Sequence, residues 1–177
     1  MIFAIRADAS LAIGTGHVRR MMALAHALRA CGADVYFVCR DLGVDTAAMV
    51  RAEGFLHIQL AAPASDAVNA EGSPGHAAWA GVTQEADAAQ TLAALADHAP
   101  QWVVTDHYSF DATWHRTVRA ALGCQIAVVD DLADRALDCD VLIDHNYCND
   151  HAAKYSGCLQ SQPRVLGGPR YALLGPD

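Results

Sequence analysis

The chain has 177 residues, 53% of them apolar and only 18% charged, which suits one domain of ordinary size with a short remainder and a well-filled core. That balance excludes a disordered chain, whose apolar content is too low to offset the entropy of ordering. A formal net charge of −8 excludes a general nucleic-acid binder, which needs a basic face, but not a local anion site built from a helix terminus and a few arginines.

The first apolar run predicts a buried strand over 2–6. It leads into Arg6-Ala-Asp8-Ala-Ser10-Leu-Ala-Ile-Gly14-Thr15-Gly16-His17-Val-Arg19-Arg20. Val18, Met21, Met22, Ala25 and Leu28 then recur at helical spacing, predicting a helix over 17–30. Further strands are expected at 34–39, 55–59, 101–105, 125–129 and 140–143, and further helices at 44–53, 84–97 and 111–121. Gly32 and Gly123 stand where helices end, and Pro100 stops the one before it. Strand and helix alternating over this length imply an α/β fold, a mostly parallel sheet with helices on both faces. Right-handed crossovers make that sheet Rossmann-like.

Residues 60–82 break the alternation. They are rich in proline, glycine and small side chains, and a loop of that length is functional or mobile. Near its end, His76 and Trp79 either cover a ligand crevice or pin an ordered surface loop. From Pro163 to Asp177 the chain reads as a domain exit: a short strand, a turn and an apolar tail, Tyr171-Ala-Leu-Leu174, that needs a packing partner. The expected division is a domain over 1–160 and an exit segment over 161–177, with more protein following. Arg6 and Asp8 interrupt the apolar N-terminus too early for an export signal. No apolar run approaches the ~20 residues of a membrane helix. Cysteines 31, 39, 124, 139, 148 and 158 then read as reduced thiols of a cytoplasmic protein.

Gly14-Thr15-Gly16-His17 lacks the third glycine of a dinucleotide fingerprint and the Gly-Lys-Ser/Thr ending of a P-loop. A glycine turn before a helix still offers free N–H groups and a positive dipole end to a phosphate. His17 follows the first strand, at the crevice where open α/β sheets bind ligands. With an ordinary pKa of about 6.5 it suits a general base; a helix-capping role is the alternative. Tyr108 follows Asp106-His107 at the end of the fourth strand, either at the crevice edge or packed against the sheet. Asp106 either holds an imidazole or caps the next helix. Arg6, Asp8 and Ser10 either brace the first loop or touch substrate. Asp130-Asp131-x-x-Asp134-Arg135 reads as turn-capping carboxylates paired with arginine rather than a metal site. His145, Cys148, His151 and Cys158 are residues of zinc-ligand type, but their spacing matches no standard finger.

Arg6-x-Asp8-x-Ser10-x-x-Ile13-Gly14-x-Gly16-His17-x-x-Arg20 resembles the start of the nucleotide-sugar hydrolases of pseudaminic acid biosynthesis, which act on UDP-2,4-diacetamido-2,4,6-trideoxy-β-L-altropyranose. The resemblance continues through Val38-Cys39-Arg40, Val104-x-Asp106-His107-Tyr108 and Asp130-Asp131-Leu-Ala-Asp134-Arg135. It then takes in Asp138-Cys139-Asp140, Asn146 and Leu166-Gly-x-Pro169-x-Tyr171-Ala-Leu. It implies the N-terminal half of a GT-B architecture, two Rossmann-like domains with the active site between them. The C-terminal domain, supplying most contacts to the uridine diphosphate, is then the missing partner. Two positions depart from the pattern: Leu137 stands where a histidine is expected, and Gly175-Pro176-Asp177 replaces an acidic-aromatic continuation.

The resemblance implies that water attacks the anomeric carbon with inversion, that His17 removes its proton, and that Tyr108 lies in the active site. Gly14, Thr15, Gly16, Arg20, Asp8 and Asp106 are the implied substrate-binding residues, with no metal and no cofactor. The partners are the UDP-sugar and the C-terminal domain, with no nucleic acid and no membrane. The 177-residue chain is then expected to turn over poorly alone. Two other readings stay open: a glycosyltransferase domain of the same fold, and a non-catalytic sugar- or partner-binding domain.

Overall fold

The computed structural model describes residues 1–64 and 76–175. Residues 65–75, within the proline- and glycine-rich segment singled out above, lie outside them. Strand β1 (Ile2–Ala7) leads into α1 (Gly16–Ala30), β2 (Asp34–Arg40), α2 (Thr46–Ala52) and β3 (Leu56–Leu60). A 3₁₀ turn (Ala77–Ala80) and α3 (Gln84–Ala94) precede β4 (Trp102–Asp106), α4 (Ala112–Leu122) and β5 (Gln125–Val129). Last come β6 (Val141–Asp144), α5 (His151–Tyr155), β7 (Arg164–Gly167) and a short 3₁₀ turn, Pro169–Tyr171.

All strands pair in parallel in one sheet ordered β3-β2-β1-β4-β5-β6-β7. Successive side chains on β1 point to opposite faces. Ala4 joins a core with Trp114, Val118 and Tyr155 under α3, α4 and α5. Ile5 and Ala7 join a second with Val18, Met21, Ala25 and Val50 under α1 and α2. Two buried faces explain why the strands are near-continuous apolar runs rather than alternating ones. α2, α3, α4 and α5 each start at a side-chain cap: Asp45, Thr83, Asp111 and Asp150 accept a backbone N–H from the first turn.

The expected strands and helices are present, with boundaries shifted by a few residues. α3 stops at Ala94 rather than 97, because Leu95 turns into the core and caps it. Helix α5 has no counterpart among the expected helices. The short strand expected in the exit segment is the sheet's seventh: β7 bonds to β6 from Val141↔Arg164 to Asp144↔Gly167. Beyond it, Tyr171 and Leu173 pack against the α1-side core. None of the described helices is long and apolar enough to cross a membrane.

The strand order reverses at β1, whose neighbours are β2 and β4. The first connection leaves β1 toward one side and the later ones proceed toward the other, so a crevice opens beyond the carboxyl ends of β1 and β4.

Candidate functional site

The β1–α1 loop is shaped by its own polar groups. Ser10 Oγ accepts the N–H of Ile13 at 3.1 Å, and Ser10 O accepts the N–H of Gly14 at 2.8 Å. Gly14 closes the turn at φ +75°, a conformation that costs other residues 1–2 kcal/mol or so. Thr15 stands at the N-cap of α1 without using its side chain as a cap; its Oγ1 instead accepts from Arg19 Nε at 3.3 Å. Among the described residues, the first-turn N–H groups of α1 have no side-chain acceptor. A Cβ built on Gly16 meets no atom of the described residues within 4 Å.

His17 and Arg20, one helical turn apart, share a face of α1 and converge on Asp106 at the end of β4. His17 Nδ1 lies 2.7 Å from Asp106 Oδ1. Arg20 donates to both oxygens, through Nε to Oδ2 at 2.5 Å and through Nη2 to Oδ1. Burial alone would raise the Asp106 pKa, but the bonds from Arg20 and His17 hold it below the ordinary carboxylate value. Asp106 is therefore ionised and an acceptor only. The 2.7 Å contact to this acceptor outweighs the longer 3.2 Å approach of Arg20 Nη2, a donor, to the same nitrogen, and assigns the proton of neutral His17 to Nδ1 and the lone pair to Nε2. Among the described residues, nothing takes up Nε2. Asp106 is fully buried and His17 is 8% exposed.

Tyr108 stands beside this pair, its ring 5.0 Å from that of His17 and nearly perpendicular to it. Its hydroxyl donates to Asp131 Oδ1 at 2.6 Å, while Asn146 Nδ2 donates to Asp131 Oδ2 at 2.8 Å. Burial and the Asp131 carboxylate push the phenol above its ordinary pKa, so it stays protonated. The 3₁₀ turn before α3 brings Trp79 and His76 to the same place, Trp79 at 6.3 Å from His17 and 5.8 Å from Tyr108. Ser109 Oγ anchors the turn by donating to His76 O at 2.6 Å.

Asp8 does not reach this surface. It belongs to a fully buried ionic layer beneath the β1–α1 loop. Its Oδ1 accepts from Arg6 Nη1 at 2.5 Å and from the Arg40 N–H at 2.7 Å, and its Oδ2 from Arg6 Nη2 at 2.9 Å. His107 Nε2 lies 3.1 Å from Asp8 Oδ2. Asp87 of α3 completes the layer, accepting from Arg6, Arg40 and the Trp114 indole N–H. With its oxygens occupied, Asp8 braces the loop. His107 accepts the Ser109 N–H on Nδ1, so it carries its proton on Nε2; burial lowers its pKa despite Asp8.

The remaining candidates do not converge. Asp130 pairs with Arg135 at 2.7 Å and caps the Ala133 N–H at 2.9 Å. His151 Nε2 lies 3.2 Å from Asn146 O, and the Cys158 thiol points at Ala133 O. Among the described residues no three His, Cys, Asp or Glu side chains are grouped as metal ligands. Of the residues singled out in the sequence, His17, Arg20, Asp106 and Tyr108 come together beside the Gly14–Gly16 turn. Asp131 and Asp87 were not singled out for these roles. A carboxylate on β5's exit and another on a helix carry no local sequence signal for the partners that topology gives them.

No protein-family model and no curated protein matches the sequence. Among solved structures the chain is similar to MurG of Acinetobacter baumannii, at 12% identity and TM-score 0.55, over 93% of this chain and 44% of that one. It is similar also to UGT89C1 of Arabidopsis thaliana, at 12% identity and TM-score 0.62, over 93% of this chain and 48% of that one. The chain thus spans less than half the length of either. At such identity the likeness is one of fold, and the fold is that of a Rossmann-like half of a GT-B architecture.

Proposed function

We propose that this domain serves a nucleotide-sugar enzyme in which His17 is the general base at the anomeric carbon. The observation that carries the reading is the Asp106–His17 pair at the sheet's switch point, clamped by Arg20 and set beside an uncapped helix start. In this reading a hydroxyl nucleophile gives its proton to His17 Nε2 as its oxygen bonds to the anomeric carbon. The bond from that carbon to the diphosphate oxygen breaks, and the diphosphate leaves with the electron pair. Attack opposite the leaving group inverts the centre. Asp106 fixes the tautomer and stabilises the imidazolium that forms. The α1 amides favour the charge gathering on the diphosphate. Arg6, Asp8, Asp87 and Arg40 hold the floor of the loop.

The nucleophile distinguishes two versions. The GT-B fold likeness supports transfer to an acceptor hydroxyl. The sequence blocks from Arg6 to Arg20 and from Val104 to Tyr108 support water, giving UDP and free sugar. The test is UDP release from a UDP-sugar with and without acceptor sugars, in ¹⁸O-labelled water, by the chain alone and together with a GT-B C-terminal domain. Release without acceptor and with label in the sugar establishes hydrolysis. Release only with acceptor establishes transfer. Binding of UDP-sugar with no release under any condition removes His17 from catalysis.

A further inference from the structure

Four aromatic rings make one continuous wall at the crevice. Trp79 stands edge-on to His17 and tilted toward Tyr108, and His76 packs on Trp79 at 4.6 Å and on Tyr108 at 5.6 Å. Two of these rings come from a segment the parallel sheet does not need. The 3₁₀ turn Ala77–Ala80 contributes one buried side chain, Ala80, to the core. It is nevertheless firmly placed. Ser109 holds the backbone of His76, and Gly81 lies so close to Pro63 that a Cβ would come within 2.3 Å of Pro63 Cγ. Trp79 is half-buried, an amphipathic ring left at the edge of the site.

Beside the wall the site is polar: the glycine turn, the α1 amides, and the Arg20–Asp106 pair that holds His17. An apolar wall beside an anion-favouring edge suits a ligand with two chemistries, such as a sugar joined to a diphosphate. We infer that Trp79, backed by His76, is the platform for the pyranose ring, taking its C–H face and fixing which side of the ring is turned to His17. This rests on the reading of His17 as the base at the anomeric carbon. A pyranose with equatorial hydroxyls presents a patch of axial C–H bonds, and an indole is the largest aromatic surface available to cover it. The nucleobase is the competing flat ligand. It is separated from the anomeric carbon by a ribose and two phosphates, so a wall adjoining His17 meets the sugar.

UDP-N-acetylglucosamine tests this, because its sugar and uracil protons report separately in ¹H NMR. Titrated with the 177-residue chain, the sugar ring C–H protons are expected to move upfield under the indole ring current, and the uracil protons are not. Trp79→Ala should abolish that shift and weaken binding on the order of tenfold, about 1.4 kcal/mol. Trp79→Phe should keep part of it. Upfield uracil shifts, an undiminished sugar shift in Trp79→Ala, or no sugar shift in the unmodified chain would each overturn the assignment. A chain that gives the sugar shift yet releases no UDP under any condition sinks the catalytic reading and supports the platform.

Discussion

Asp106 lies 2.7 Å from Nδ1 of His17, although 89 positions separate the two in the chain. The contact exists because β1 and β4 are neighbours in the sheet, which sets the end of β4 against the start of α1. Asp106→Asn preserves the shape but removes the charge and permits the wrong tautomer. Turnover should fall roughly 10²–10⁴-fold with little change in KM, read as UDP release at saturating donor. His17→Ala should lose a similar factor while keeping its circular dichroism spectrum. A capping role for His17 predicts instead a stability loss on the order of 1 kcal/mol with turnover kept.

The ionic layer beneath the loop should be costly to open. Asp87 accepts from Arg6, Arg40, Trp114 and Thr91, all buried. Asp87→Ala leaves two buried guanidinium groups with reduced compensation, and about 3–5 kcal/mol of stability should be lost. Urea unfolding followed by tryptophan fluorescence measures it. A loss under about 1 kcal/mol, the range of surface pairs, would show that water compensates the arginines.

Acid should weaken the fold in two stages. His115 is 1% exposed, and burial pushes its pKa down from 6.5 to about 3; His107 is shifted the same way. The unfolded chain therefore takes up protons below about pH 6.5 that the folded chain refuses, so stability falls as pH falls, by roughly 1.4 kcal/mol per pH unit for each such histidine. Asp8, Asp87 and Asp106 have depressed folded pKa values. Their contribution is complete above about pH 4, the unfolded carboxylate value, and is lost as pH drops toward the folded values. Urea midpoints from pH 7 to 4 should fall less steeply for His115→Gln than for the unmodified chain. Parallel slopes would exclude His115 as a source of the first stage.

Periodicity made the sheet legible, because each strand is a short apolar run and each helix repeats at 3.6 residues. It did not reveal α5, since His151–Tyr155 is too short to show a helical period, and it gave the short strand of the exit segment, β7, no place in the sheet. Pairing with β6 sets that place. His17 and Tyr108 were legible from their places after strands. The role of Asp8 was not: a polar residue at a strand end reads the same whether it faces a crevice or the Arg6 guanidinium beneath it. Trp79 was legible only as one of two alternatives, and what the sequence did not show is the packing of its ring on Tyr108 and His76.

Tyr108 and Asp131 should act as a unit. The phenol donates to Asp131 at 2.6 Å, and Asn146 holds the other carboxylate oxygen. Because burial and Asp131 both raise the phenol's pKa, the proposed site has in Tyr108 a neutral hydroxyl whose direction Asp131 sets, not a phenolate base. Tyr108→Phe removes the hydroxyl and keeps the ring against His17. Asp131→Asn keeps one oxygen acceptor but removes the charge, and its NH2 is turned toward a donor, Tyr108 or Asn146. Each should lower turnover by roughly tenfold, the effect of one charge-assisted hydrogen bond worth about 1.5 kcal/mol. The double variant should lose hardly more than either single one, since residues in one hydrogen-bond network are not additive. The pH–rate profile should show no alkaline limb that Tyr108→Phe abolishes. Multiplying losses in the double variant would separate the two residues and assign Tyr108 a role independent of Asp131.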